Sequence, residues 1–393
     1  MFSLKSKRAY LDWASAAPVC LEAKHAFILA LGTYGNPSSP HEEGAKAKDM
    51  LEEARTSIAR LCAVKPPSVI FTSGATEANA LALQGRVNAL IAKDVRTSDM
   101  HVLYLPTMHS SVVKTVAALC ERGIQTEAIP LADGQIDIPA LTALLRPETV
   151  LVSVDAVCGE TGTRFDTRAV RTAIDARGLA GKALLHVDAS QLPLVESIER
   201  TRLGADLMTL DAQKVGGVRG IGALIVADTS HVAPIIQGGG QEQGLRPGTE
   251  PVALAASFAA ALTAAARTRE AFAERSQRMR AQLIKELSNS VSYMRLNSSK
   301  HSAPHILSIS FPGLDTDYAV MILDAAGFAA ATKSACETDS EDGSTVVLAL
   351  TGDSARAAST LRISWGPSTR PSELARFARE LIRTVKFLEE GRL

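Results

Sequence analysis

Between Ser68 and Asp228, short runs of apolar and β-branched residues alternate with longer segments in which apolar residues recur every three or four positions. This alternation is typical of a mostly parallel sheet with helices on both faces, because its buried strands contain few polar residues. The runs that predict strands are SVIFTSG, HVLYLPT, QTEAIPL, TVLVSVDA, ALLHVDAS, DLMTLDA and GALIVAD. We therefore expect an α/β fold built on one seven-stranded, mostly parallel sheet.

The segments between these runs predict helices. From Ser110 to Arg122, an apolar stripe formed by Val113, Val116, Ala117 and Cys120 predicts a helix and places Cys120 in the core.

After the last of these runs, the chain predicts one long helix and then a mixed region. The segment from Pro251 to Asn289 is helical in pattern throughout, as expected of a helix that passes from one lobe to another. Strands follow in HILSISF and STLRISW, with a helix between them from Asp317 to Ala326. A closing helix has one apolar face, formed by Leu374, Phe377, Leu381 and Val385.

Chain length indicates two domains, because single cores stop growing at about 250–300 residues and this chain has 393. We expect a large domain over residues 16–262. A smaller α+β domain would be formed by residues 1–15 and 263–393.

Composition narrows the class of partner. Lys plus Arg number 42 and Asp plus Glu number 42, without a dense basic run, so we expect a small-molecule substrate and no nucleic acid. The five cysteines lack a C-x-x-C pair, and His301 and His305 lack further ligands, so we expect no disulfide framework and no metal. The longest apolar stretch, Val252 to Ala266, is too short to cross a bilayer. These features favour a cytoplasmic protein without a membrane anchor.

Polar residues at strand ends are the candidate site, because ligands bind beyond the carboxyl ends of the strands in doubly wound sheets. Asp188 ends an apolar strand, where a pyridinium nitrogen could pair with its carboxylate; a salt bridge or a helix cap is the alternative. Lys214 follows another strand end, where a lowered pKa would let it attack an aldehyde. A lysine considered alone is usually a solvated surface residue.

Three further segments suit the same chemistry. The turn TSGATE, residues 72–77, exposes amide groups to an anion or simply caps a helix. His109 offers an aromatic ring to stack on a flat ligand, or it caps the helix that follows. The loop of residues 238–249 either presents Thr249 to a phosphate or is a flexible connector.

Together these motifs resemble those of the cysteine desulfurases, pyridoxal 5′-phosphate (PLP) enzymes of fold type I in the class V aminotransferase group. The resemblance runs nearly end to end, through YLDWASAAP, YGNPSSPH, TSGATE, HVDASQ, QKVGG, GGGQEQGLRPGT, KSAC and LRISWG. It implies a PLP-dependent transferase fold and the conversion of L-cysteine to L-alanine. The sulfur would pass as a persulfide to an acceptor protein, for iron-sulfur cluster or thio-cofactor synthesis.

The resemblance also implies a role for each matching residue. Lys214 would bind PLP as a Schiff base, His109 would stack on its ring, and Asp188 would meet the ring nitrogen. Gln191 would hydrogen-bond the ring hydroxyl, while Ala75 and Thr76 would hold the phosphate. Thr249 would reach the phosphate in a neighbouring subunit, which implies a homodimer.

Two more residues would act on the substrate. Arg362 in LRISWG would bind the α-carboxylate of cysteine, for which its planar fork is suited. Cys336 in KSAC would be the sulfur-accepting nucleophile, followed by the polar stretch ETDSEDGS.

The sequence departs from the family at several cofactor contacts. Cys158 and Gly159 stand where the family has paired asparagines. Asp211 and Gln213 replace its serine and histidine before the lysine. Asp211 would repel a phosphate unless it is turned aside or paired, for example with Arg219. Two alternatives therefore stay open. One is another class V enzyme, such as a lyase, including a selenocysteine lyase, or an aminotransferase; the other is a non-catalytic scaffold.

Overall fold

The computed structural model describes residues 8–332 and 343–390. Within them the strands are β1 (Ala9–Tyr10), β2 (Val69–Thr72), β3 (His101–Tyr104), β4 (Gln125–Ala128), β5 (Leu131–Ala132), β6 (Gln135–Ile136), β7 (Thr149–Asp155), β8 (Leu184–Asp188), β9 (Leu207–Asp211), β10 (Gly222–Val226), β11 (Arg295–Leu296), β12 (Ile306–Ser310), β13 (Phe328–Ala329) and β14 (Thr360–Ser364).

The α-helices in the same ranges are α1 (Leu21–Ala30), α2 (Glu42–Leu61), α3 (Ala75–Ile91), α4 (Ser110–Glu121), α5 (Ile138–Leu144), α6 (Thr167–Ala176), α7 (Arg200–Leu203), α8 (Val252–Ser290), α9 (Thr316–Ala325), α10 (Thr345–Thr351), α11 (Ser354–Ala358) and α12 (Pro371–Glu390).

All seven strands predicted between Ser68 and Asp228 belong to one sheet, in the order β2-β10-β9-β8-β7-β3-β4. Only β10 runs antiparallel to its neighbours; the other pairs are parallel. Strands β7 to β10 are buried at every position, which explains their continuous apolar runs, whereas the edge strand β4 is partly exposed. The predicted fold class is confirmed.

The buried face of α4 differs from the prediction. Val112, Val116 and Leu119 face the core, whereas Cys120 is exposed. Two overlapping stripes share Val116, and spacing alone does not choose between them. The larger apolar area of Leu119 decides, because burying it stabilises the fold more than burying a thiol.

The predicted C-terminal elements are all present, whereas the short strands β11 and β13 and the helices α10 and α11 were not predicted. Helix α8 runs for 39 residues and packs against α1, α2 and α12. Strands β11, β12 and β14 form an antiparallel sheet, and the predicted apolar face of α12 is buried. The domain limits at residues 15/16 and 262/263 stay a prediction. None of the described helices combines the length and apolarity needed to span a bilayer.

The N-terminal segment lies beside the C-terminal strands. Strand β1 pairs with β13, and Asp12 forms a bridge to Ser364 at the end of β14. Arg362 lies in the middle of β14. This arrangement brings Ala14 and Ser15 beside Arg362, near the carboxyl ends of the strands of the seven-stranded sheet.

Candidate active site

A cavity of about 270 Å³ lies at the carboxyl ends of β7, β8 and β9, against the N-termini of α3 and α4. Seven of the predicted site residues line it: Ala75, Thr76, His109, Asp188, Gln191, Lys214 and Arg362. Thr249 lies outside this cavity, on an exposed loop. Cys336 falls outside the described residues. A larger open groove of about 820 Å³ contains none of the predicted site residues.

Lys214 ends a short 3₁₀ turn that follows β9 directly. Its Nζ donates hydrogen bonds to the carbonyl oxygens of Ala14, at 2.8 Å, and Ser15, at 2.7 Å. Burial lowers the pKa of Lys214, and nearby Asp211 opposes this effect only in part. A lysine with a lowered pKa has more of the neutral amine that attacks an aldehyde.

Asp188 is held rigidly at the end of β8. Its Oδ2 accepts a hydrogen bond from Asn79 Nδ2 at 2.9 Å, and its Oδ1 accepts one from Ser190 N at 3.0 Å. Behind it, burial lowers the pKa of His186 to about 4, so this ring is neutral at pH 7. The carboxylate is therefore fixed in place without a cationic partner from β8.

Asp155 is a site residue that sequence reasoning missed. It ends β7 directly opposite Asp188 in the strand register, and both residues line the cavity. Burial raises the pKa of Asp155 well above its usual range, and the charge of Asp188 raises it further. Asp155 therefore keeps its proton to a higher pH than an aspartate in water does. In the sequence, the only sign of this role is that Asp155, like Asp188, is an aspartate at the end of a predicted strand.

His109 is connected to Asp188 through hydrogen bonds. Ser111 Oγ lies 2.9 Å from His109 Nδ1 and accepts from Asn79 Nδ2 at 3.0 Å, and Asn79 also donates to Asp188. The backbone N–H of Ser111 donates to the same Nδ1 at 3.1 Å. Since a backbone N–H can only donate, Nδ1 is the acceptor, and the neutral ring carries its proton on Nε2.

Arg362 is buried, with only part of its guanidinium satisfied. Nη2 donates to Asp12 Oδ1 at 2.8 Å and to Ser15 Oγ at 2.5 Å, while Nη1 donates to Gly159 O at 3.1 Å. Its Nε is buried without a hydrogen-bond partner among the described residues. A buried unpaired donor costs free energy, so this edge of Arg362 suits a carboxylate ligand. Sequence reasoning missed Asp12 and Ser15.

The departures at Cys158 and Gly159 have structural consequences. Burial raises the pKa of the Cys158 thiol to about 12, so it is protonated and a poor nucleophile. A Cβ added to Gly159 would lie 3.2 Å from Gln191 Nε2, which itself donates to Ala14 O at 2.9 Å. Gly159 therefore leaves room for Gln191.

The cavity residues fit PLP at its aldehyde and ring. The hydroxyls of Thr107 and Ser190, two lining residues, are buried without a partner among the described residues. Buried hydroxyls are normally hydrogen-bonded, so a polar ligand in the cavity would supply the missing partner. Lys214 and Asp188 add an amine and a carboxylate. The suggested pairing of Asp211 with Arg219 is wrong: no ion pair joins them in the described ranges, and Asp211 instead accepts from Ala75 N at 3.2 Å.

Comparisons with known proteins agree along nearly the whole chain. The family model described as aminotransferase class-V matches residues 9–377. "Cysteine desulfurase IscS 1" of Archaeoglobus fulgidus is 34% identical over 362 residues, covering 91% of each chain. A solved NifS-like protein superposes with a TM-score of 0.88 at 26% identity, covering 97% of this chain and 100% of that one. SspA, solved in complex with cysteine, superposes with a TM-score of 0.78 at 27% identity, covering 92% and 99%.

Proposed function

Because this chain belongs to the aminotransferase class-V family, we propose that it is a PLP-dependent cysteine desulfurase that converts L-cysteine to L-alanine. The matches confirm the family resemblance seen in the sequence. The named activity of the relatives supports the proposal, as does the solved complex of SspA with cysteine.

The proposal rests on the set of residues that line one cavity. It combines a lysine of lowered pKa, a fixed carboxylate and a buried arginine with an unpaired Nε–H. An amino acid offers an amine and a carboxylate at fixed separation. Lys214 and Arg362 are the groups that bind a carbonyl cofactor and a substrate carboxylate respectively.

PLP, when bound, supplies an aldehyde that condenses with amines and a ring that accepts electrons from the substrate α-carbon. Lys214 would hold the aldehyde and Asp188 would keep the ring nitrogen protonated. His109 would stack on the ring, Gln191 would donate to the ring hydroxyl, and Ala75 with Thr76 would contact the phosphate.

Arg362 would orient the substrate through its α-carboxylate, which places the α-hydrogen and the sulfur in reproducible positions. Lys214 Nζ would accept the α-proton of the substrate, because burial lowers its pKa and so increases the neutral fraction of the amine. The same amine can return a proton to the product.

Cys336 would take the sulfur. Its thiolate attacks the sulfur of bound cysteine, so that an S–S bond forms as the substrate C–S bond breaks and the Cβ is protonated. The products are alanine and a Cys336 persulfide, which balances one cysteine and one thiol. Val346 lines the cavity and Ser344 donates to Glu160 in its wall, so the chain that follows Cys336 in sequence returns to the site.

The persulfide would pass to an acceptor protein, such as an iron-sulfur scaffold, in the cytoplasm. We also propose a homodimer in which Thr249 contacts the cofactor phosphate of the neighbouring subunit. The exposure of Thr249 outside the cavity of its own chain supports this arrangement.

The test is product analysis with purified protein, PLP, L-cysteine and a thiol reductant. We expect alanine and sulfide in equal amounts, and loss of both in Cys336→Ser and Lys214→Ala, with activity retained in Cys120→Ser, whose thiol is exposed. Sulfide release that survives Cys336→Ser would indicate a lyase. Amino transfer to pyruvate without need of Cys336 would indicate an aminotransferase. Absence of PLP binding, with partner binding intact in Lys214→Ala, would indicate a scaffold.

A further inference from the structure

Asp211 places a carboxylate at the N-terminus of α3, where the cofactor phosphate is expected. Its Oδ2 accepts a hydrogen bond from Ala75 N at 3.2 Å, and its Oδ1 accepts one from Gln213 N at 3.0 Å. The side chain is buried and lines the cavity. The first amide of this 17-residue helix is therefore already bonded to an anion that belongs to the protein.

The strand register explains how Asp211 reaches so far. Gly222 on β10 is paired with Thr72 of β2 on one side and with Asp211 of β9 on the other. Because Gly222 has no side chain, the carboxylate of Asp211 can extend across it towards the turn at Gly74. A Cβ at Gly222 would lie 2.7 Å from the Gly74 carbonyl carbon. The turn is thus packed tightly against β10, so we expect the Asp211 side chain to move more easily than the turn.

A phosphate and this carboxylate would compete for the same donor. The positive end of a helix binds one anion well, but two anions close together repel each other. No lysine or arginine forms an ion pair with Asp211 in the described part of the chain, and Arg246, near the same turn, is paired with Glu77 at 3.0 Å. Lys214 is close enough to interact electrostatically with Asp211, but the two side chains form no ion pair among the described residues.

We propose that Asp211 acts as an internal competitor for the cofactor phosphate, so that PLP binds only by displacing this carboxylate from Ala75 N–H. The inference rests on the proposed function only in placing PLP at Lys214. Asp211 would then weaken the binding of the phosphorylated cofactor. We expect this protein to exchange PLP more readily than a variant with a neutral residue at position 211.

The experiment measures dissociation constants of the full-length, cofactor-free protein for PLP, for pyridoxal and for inorganic phosphate. Asp211→Asn keeps the shape of the side chain and an acceptor oxygen but removes the charge. Asp211→Ser also shortens the side chain, so that it no longer extends to Ala75 N. Asp228→Asn is the matched control, because Asp228 also follows a strand and accepts from the amide two residues later, at 2.9 Å, but is exposed.

We expect both Asp211 variants to bind PLP and phosphate at least about tenfold more tightly than the wild type. Binding of pyridoxal, which lacks the phosphate, should tighten less than binding of PLP, because only the effect of Asp211 on the pKa of Lys214 acts there. Asp228→Asn should match the wild type for all three ligands.

Equal or weaker binding of PLP and phosphate by the Asp211 variants would overturn the proposal. Equal tightening for pyridoxal would overturn it too, because Asp211 would then act on the aldehyde end through Lys214. These readouts do not depend on desulfuration. A protein that shows the expected binding pattern but releases no sulfide would contradict the proposed function and leave this inference standing.

Discussion

Replacing Asp155 by asparagine should change how the stability of the protein depends on pH. In the folded protein Asp155 lies opposite Asp188, and burial together with that neighbouring charge raises its pKa well above 3.8. A carboxyl whose pKa rises on folding gives a stabilisation that is complete below the unfolded pKa. That stabilisation is lost as the pH rises through the folded pKa. Asp155→Asn keeps the size and neutrality of the protonated acid and does not titrate.

The magnitude follows from one proton. Between the unfolded and folded pKa values of Asp155, the folded state binds one more proton than the unfolded state at this position. The wild type should therefore lose about 1.4 kcal/mol of unfolding free energy per pH unit relative to Asp155→Asn. The difference accumulates only inside this window and stays constant at pH values above the folded pKa.

Urea unfolding of the cofactor-free proteins at several values between about pH 5 and 8 measures this difference, because titrating groups remote from Asp155 cancel in the comparison. Asp133→Asn, in an exposed loop, controls for the substitution itself and should follow the wild type. Stability curves of wild type and Asp155→Asn that run parallel would refute the raised pKa of Asp155 in the folded protein. An Asp155→Asn curve that falls faster with pH would refute it as well.

Three further predictions concern binding, protonation and stability. Arg362→Lys removes the Nε–H donor and the planar guanidinium, so cysteine should bind at least about tenfold more weakly. A titration followed by cofactor absorbance measures this binding, and unchanged binding would exclude Arg362 as the carboxylate site. Nitrogen NMR of His109 should show the neutral ring with its proton on Nε2, and a protonated Nδ1 would contradict the hydrogen bonds described here. Arg55 and Glu242 form a buried pair with two contacts of 2.7 Å. Arg55→Met should therefore lower the free energy of unfolding in urea by about 3–5 kcal/mol. A loss near zero would mean that other groups satisfy Glu242.

Much of the fold could be predicted from the sequence, because continuous apolar runs have few alternatives to buried strands. The site was predictable where a polar residue followed such a run, as with Asp188 and Lys214. Both lie at strand ends that the sheet order brings side by side.

The missed features depend on pairings that no local pattern contains. Asp155 matters only because the register sets it opposite Asp188, and Asp12 matters only because it bonds Arg362 from 350 positions away. The contact of Asp211 with Ala75 likewise depends on a glycine in the strand between them. For α4, two apolar stripes of similar spacing competed, so the periodicity could not place Cys120.

We propose that Lys214 holds PLP and releases it to the amine of cysteine. Borohydride reduction of the PLP-loaded protein, followed by peptide mass analysis, tests this directly. We expect the cofactor to be fixed on Lys214, and we expect excess L-cysteine added before the reduction to prevent that attachment. Cofactor fixed on another lysine, or attachment to Lys214 that cysteine does not affect, would contradict this role of Lys214.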